Sequence, residues 1–286
     1  MSNFYKSTQL QENVYRITSL ENVFCELLIG TEKALLIDTG FGYGDLKGFV
    51  KSLTGSKPLI IVNTHGHLDH TCGNAQFDEP IFISTKDVEL CKAHTSREFR
   101  ERAAKGAENA NDYATGETVR GLPDDFDLEA YVNRGTGQLK PLNDGDVFDL
   151  GGIIVRAIAT PGHTNGGTCF LYEEQNWLYV GDQANAFCWL FLDETTEKDI
   201  HLASLDKLIA LAPAKVFGSH MPAPVSVEQL YLYRRAAAEA DFEKGLPFNG
   251  YAAKKEARTC TLDGMGADDF GKPGFASVVI TADWGA

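Results

Sequence analysis

Four times along this chain a short, largely β-branched apolar run gives way to one or more small or polar residues and then a histidine or aspartate. The four are PLIIVNTHGHLDH (58–70), IIVRAIATPGH (153–163), LYVGD (178–182) and AKVFGSH (214–220). Runs of that length and composition read as buried strands. In layered α/β folds, side chains just past strand ends are both firmly anchored and open to solvent. The four tips together hold His65, His67, Asp69, His70, His163, Asp182 and His220, which takes up five of the chain's seven histidines.

The first tip is the densest. A fixed His-x-His-x-Asp-His string arises by chance in a chain of this composition with a likelihood on the order of one in a few thousand, so coincidence is set aside. Side chains this close in sequence converge only on something small, and a divalent cation held by neutral imidazole and carboxylate fits. A proton-relay cluster or a run of surface polar residues explains the spacing less well. A lone aspartate at a strand end is more often a cap or turn former. His94 and His201, taken singly, read as satisfied core or surface side chains.

The rest of the pattern alternates strands and helices, which places the chain in the α/β class. Strands are expected at 13–20, 23–30, 33–40, 58–64 and 80–84, and again at 146–150, 153–160, 168–173, 176–181, 214–220 and 275–281. Leu46, Phe49, Val50 and Leu53 make a helical stripe, as do Leu202, Leu205, Leu208 and Ile209 in a helix over 201–212. A further helix is expected over roughly 226–244. Residues 86–138 read as a helical insertion or lid within a single domain spanning 1–286. Its first helix runs to about Gly106, and its second, capped by Asp124 or Asp125, runs through FDLEAYVN. Phe126, Tyr131 and Tyr251 are candidate lid aromatics. The run AFCWLFL (186–192) reads as core, with Phe187 and Trp189 able to wall an acyl pocket.

A formal net charge of −14 disfavours nucleic acid and anionic membrane surfaces as partners, because phosphates are bound mainly by clustered Lys and Arg. A small-molecule substrate is expected instead, and a homodimer is left open. The opening MSNFYKSTQLQEN lacks the layout of a secretory signal and no stretch is long and apolar enough to span a bilayer, so a soluble cytoplasmic protein is expected. Cys25, Cys72, Cys91, Cys169, Cys188 and Cys260 form no CxxC pair and read as reduced core residues. Cys72 is singled out for lying two positions beyond His70.

The ordered series His-x-His-x-Asp-His, His163, Asp182, His220 resembles the metallo-β-lactamase superfamily, and the likeness runs from the N-terminal strands to His220. The resemblance implies a four-layer αββα sandwich. It further implies two divalent metal ions, Zn2+ or alternatively Fe or Mn, one held by His65, His67 and His163 and the other by Asp69, His70 and His220. Asp182 bridges them together with a hydroxide, and Asp69 orients its proton. The implied activity is hydrolysis of a small ester, thioester or lactone.

Departures narrow the branch. The β-lactamases of this family carry a cysteine ligand where Asp182 stands, and glyoxalase II enzymes continue differently from GDQANAFCW. The tyrosine that related lactonases place three positions after the bridging aspartate falls on Asn185, which leaves Asn185 a candidate substrate contact. Two alternatives stay open. One is an oxygenase resembling persulfide dioxygenases, with one iron on His65, His163 and Asp182, and the other is a phosphodiesterase of the same fold.

Overall fold

The computed structural model describes residues 4–19, 23–107, 121–123, 125–250 and 252–285. The chain forms two compact units, Met1–Ala157 and Ile158–Ala286.

The first unit is built on a seven-stranded sheet whose strands lie side by side in chain order. They are β1 (Lys6–Gln11), β2 (Val14–Thr18), β3 (Phe24–Ile29), β4 (Ala34–Ile37), β5 (Leu59–Val62), β6 (Ile81–Ser84) and β7 (Leu139–Leu142). The first four pair antiparallel, whereas β4 to β7 pair in parallel. Parallel neighbours need crossover connections, and helices supply them. These are α1 (Leu46–Thr54) after β4, α2 (Leu68–Thr71) after β5, then α3 (Val88–His94), α4 (Arg97–Ala107) and α5 (Leu128–Val132) before β7. A hairpin follows, β8 (Val147–Asp149) with the start of β9 (Ile154–Ala159). Ile37 and Val62 are register partners at the carboxyl ends of β4 and β5, so the loops leaving those strands start side by side.

α1 matches its sequence signals. Asp45 caps it by accepting the Gly48 amide, Leu46 and Val50 are buried, and Gly55 ends it at φ 64°. Alternate residues of β3, namely Cys25, Leu27 and Ile29, share a core with Leu46, Val50, Ala104, Tyr131 and Val132.

The insertion departs from expectation. Its first helix is two helices broken at Thr95, whose hydroxyl turns back to the Cys91 carbonyl at 2.8 Å. Arg100, fully buried, holds the break by donating to the carbonyls of Thr95, Cys72 and Gly135. The cap of α5 is Asp127, which accepts the Ala130 amide, not Asp125; Asp124 lies outside the described residues.

In the second unit β10 (Thr168–Tyr172) pairs antiparallel with β11 (Trp177–Gly181), which pairs in parallel with β13 (Lys215–Gly218). Gly181 and Gly218 are partners, so Asp182 and His220 leave adjacent strand ends. A second sheet in this unit has the order β12 (Phe187–Leu190), β16 (Ser277–Thr281), β15 (Ala257–Thr261), β14 (Leu246–Phe248). Leu205 and Leu208 of α6 (Lys198–Ala210) and Leu230 and Ala237 of α7 (Val227–Glu239) close on Leu178, Val180, Val216 and Val278. α6 thus starts three residues earlier than expected, and α7 stops at Glu239, where Ala240 takes an extended ψ of 125°. The run 186–192 lies in the core as expected, with β12 covering Phe187–Leu190 and Cys188, Leu190 and Phe191 buried. Among the described residues no helix is long and apolar enough to cross a membrane.

Candidate metal centre

In the first unit the centre begins at Asp38, one residue past β4. It sits at φ 62°, 1% exposed, and its carboxylate accepts the Thr64 amide (2.8 Å), the Thr64 hydroxyl (2.7 Å) and His70 Nδ1 (2.8 Å). Aspartate tolerates the left-handed region better than most residues. Because the carboxylate accepts, His70 carries its proton on Nδ1 and its lone pair on Nε2, which lies 3.5 Å from Asp69 Oδ2. The Thr64 hydroxyl has given its proton to Asp38, so it accepts from His65 Nδ1 at 3.0 Å and leaves Nε2 of that ring as the lone-pair nitrogen. His65 Nε2 in turn stands 3.0 Å from His67 Nδ1. Two nitrogens on a tetrahedral zinc lie about 3.3 Å apart. The spacing also suits an N–H···N bond, so the donor set more than this one distance points to a cation.

Local structure fixes these rings. His67 is the N-cap of α2 in an extended conformation (ψ 156°), and its carbonyl takes the His70 amide and the Thr71 hydroxyl. Asp69 and His70 therefore stand on the first helical turn. Gly66, between two of the histidines, lies against α3. A Cβ there would meet the Asp87 carbonyl oxygen and the Cys91 nitrogen at 2.9 Å.

In the second unit His163, Asp182 and His220 come together. His163 donates from Nδ1 to the Trp189 carbonyl at 2.7 Å, its amide donates to Gln183 Oε1, and its carbonyl accepts the Thr195 hydroxyl. Nε2 is again the lone-pair nitrogen. It faces Asp182 Oδ2 at 3.8 Å, and His220 Nε2 faces the same oxygen at 3.2 Å. One buried carboxylate thus stands between two imidazoles, with Gly181 at φ 54° making the turn that presents it.

The other singled-out residues divide. All six cysteines are free and buried, and burial pushes the Cys72 thiol up to about 11. His201 is a core histidine beneath Gly162. Burial first, then His163, pulls it down to about 3, so it is neutral. Tyr131 is fully buried, its hydroxyl donating to the Phe41 carbonyl, so it is no lid aromatic. Phe126 packs on Tyr43 and Tyr131, and Tyr251 lies outside the described residues. Asn185 spends its amide on its own turn, accepting the Phe187 amide and donating to the Asp182 carbonyl. Phe187 and Trp189 are half-buried in an aromatic row with Phe191, Phe248 and Phe270. Sequence reasoning missed Asp38, Thr64 and the Trp189 carbonyl, although Asp38 ends ALLI in the same strand-then-acid manner as Asp182.

The sequence pattern of the family described as "Metallo-beta-lactamase superfamily" matches residues 19–220. The acyl-coenzyme A thioesterase MBLAC2 of Homo sapiens is 26% identical over 184 residues, 60% of this chain and 61% of that protein. The atrochrysone carboxyl ACP thioesterase of Aspergillus fumigatus is 30% identical over 159 residues, 54% of this chain and 28% of that protein. The chain spans about three-fifths, or less, of the length of these curated relatives. Among solved structures, a metallo-β-lactamase from Pontibacter korlensis aligns with a TM-score of 0.56 at 16% identity, over 82% of this chain and all (100%) of that one. The sec-alkylsulfatase Pisa1 from Pseudomonas sp. aligns at 0.61 and 14% identity, over 81% of this chain and 41% of that one. At such identities the structural likeness speaks for the fold.

Proposed function

Because the chain belongs to the metallo-β-lactamase superfamily, we propose that it is a dinuclear metal-dependent hydrolase of small esters and thioesters. In this reading His65, His67 and His163 would hold one divalent ion, Asp69, His70 and His220 would hold the other, and Asp182 would serve both. The imidazole-rich donor set favours zinc. One observation carries the reading. Thr64, Asp38 and the Trp189 carbonyl occupy Nδ1 of His65, His70 and His163, which leaves Nε2 as the ligating nitrogen in all three.

Ions in such a pair bring the ionisation of water towards neutrality and polarise a carbonyl oxygen. The chain's own groups do the remaining work. Asp69, beside His70 on the first turn of α2, is positioned to hold the proton of an incoming water. Asp182, buried between two imidazoles, keeps those rings in place.

The names of the thioesterase relatives favour a thioester carbonyl. A net charge of −14 repels a substrate's phosphates, so we place recognition in the acyl part. Phe187 and Trp189 supply an apolar wall for it, on the strand whose Trp189 carbonyl holds His163.

Metal analysis and a substrate screen test this. The protein should carry about two zinc ions per chain and hydrolyse short acyl thioesters, and Asp182→Ala should lose both properties. One iron per chain with thiol-dependent oxygen uptake would replace this reading with the oxygenase one.

A further inference from the structure

We propose that the helical insertion reaches the metal centre through His94, a positioning residue whose ring sets the orientation of His67. The inference rests on the metal reading above. His65, His70 and His163 are each oriented by a hydrogen bond at Nδ1. His67 turns Nδ1 towards His65 Nε2, another proposed ligand, at 3.0 Å. Its ring is also gripped on a face. His94, the last residue of α3, stacks on His67 with centroids 4.9 Å apart and planes 24° from parallel. Phe99 of α4 stacks on His94 at 4.3 Å and 25°, and the Arg102 guanidinium lies over Phe99 at 4.6 Å. A column of four side chains therefore runs from the surface of the insertion to a proposed ligand.

The column has a firm footing at each level. Below it, the Gly66 amide donates to Asp87 Oδ2 at 3.0 Å, and Gly66 lies too close to α3 to admit a side chain. Beside it, Arg100 joins the Thr95 carbonyl, next to His94, to the Cys72 carbonyl at the end of α2. α3 cannot shift against α2 without breaking these bonds. A flat neighbour resists tilting of the His67 ring, and tilting is the motion that would swing Nδ1 away from His65 Nε2. No feature of the His-x-His-x-Asp-His string announces this support, since His94 lies outside it.

The test compares His94→Ala with His94→Phe in the full chain, reading the Zn2+ dissociation constant by chelator competition and the visible absorption of the Co2+-loaded protein. His94→Ala should weaken Zn2+ binding roughly two- to tenfold, the range expected for one stacked pair, and should alter the Co2+ spectrum. His94→Phe should restore both. Phe99→Ala, which leaves His94 in place but removes the far side of the column, should act in the same direction and less strongly. Melting of the metal-free variants shows that each is folded. Unaltered binding and spectrum in His94→Ala would overturn the proposal. So would a His94→Phe variant as impaired as His94→Ala, since the effect would then belong to a nitrogen of His94. A wild-type chain that takes up neither Zn2+ nor Co2+ would overturn the metal reading itself and this inference with it. That result is distinct from a wild type that loads normally alongside an equally loaded His94→Ala.

Discussion

His70 Nδ1 and Asp38 Oδ2 lie 2.8 Å apart, with both side chains sealed from solvent. The same carboxylate fixes Thr64, and through the Thr64 hydroxyl it fixes the tautomer of His65. One acid thus orients two rings. Asp38→Asn keeps the shape and tolerates φ 62°, but its amide cannot accept from Thr64 and His70 as a carboxylate does. Zn2+ affinity should fall about 10–100-fold, measured by chelator competition, while the melting temperature of the metal-free protein changes far less than on Asp38→Leu.

Gly162, the residue before His163, leaves no room for a methyl group, because a Cβ there would sit 2.3 Å from His201 Nδ1. Gly162→Ala should destabilise the protein by about 1–3 kcal/mol, the usual cost of overpacking. Urea denaturation checks this. If the steric account is right, adding His201→Ala recovers part of the loss, and the two substitutions are non-additive.

What could be read from the sequence was what is local in it. His65, His67, Asp69 and His70 share one strand tip, so their chemistry shows in eight consecutive letters. Asp38 was passed over because its role depends on the parallel register of Ile37 with Val62, which no local pattern displays. Trp189 acts on His163 through a backbone carbonyl, a role to which its side-chain identity is irrelevant. β1 escaped notice because KSTQL is mostly exposed and carries no apolar alternation. Tyr131 reads as a lid aromatic in the sequence because the partner of its hydroxyl, the Phe41 carbonyl, is remote along the chain. The break in the insertion at Thr95 is held by Arg100, a residue of a type that is rarely buried and that tertiary carbonyls draw inside.

Burial pushes the Cys169 thiol up to about 12 from an ordinary value of 9.0. Between those values the folded chain keeps this proton and the unfolded chain has lost it, so this group's contribution to stability is intact below pH 9.0 and is lost as pH rises towards about 12. The slope for one such thiol is about −1.4 kcal/mol per pH unit. Cys169→Ala should therefore show a shallower decline of unfolding free energy above pH 9.0 than the parent. Comparing slopes avoids confusion with the cavity the substitution leaves. Parallel slopes would mean that the thiol ionises no differently in the two states.

Phe187 packs on Phe248 and Phe270, with centroids 5.9 and 6.4 Å away, while Phe270 is 44% exposed. An apolar row that stays partly open suits an acyl chain better than a polar alcohol or thiol. Removing one aromatic ring from such a wall costs about 1–3 kcal/mol of apolar contact, felt only by substrates long enough to touch it. Phe187→Ala should raise KM for an octanoyl thioester about tenfold or more while leaving kcat/KM for the acetyl thioester near that of the parent. Since Asn185 Oδ1 takes the Phe187 backbone amide, which the substitution preserves, the Asp182 turn should be unaffected and metal content unchanged. Equal losses on short and long acyl groups would move the wall elsewhere and leave Phe187 a packing residue of β12.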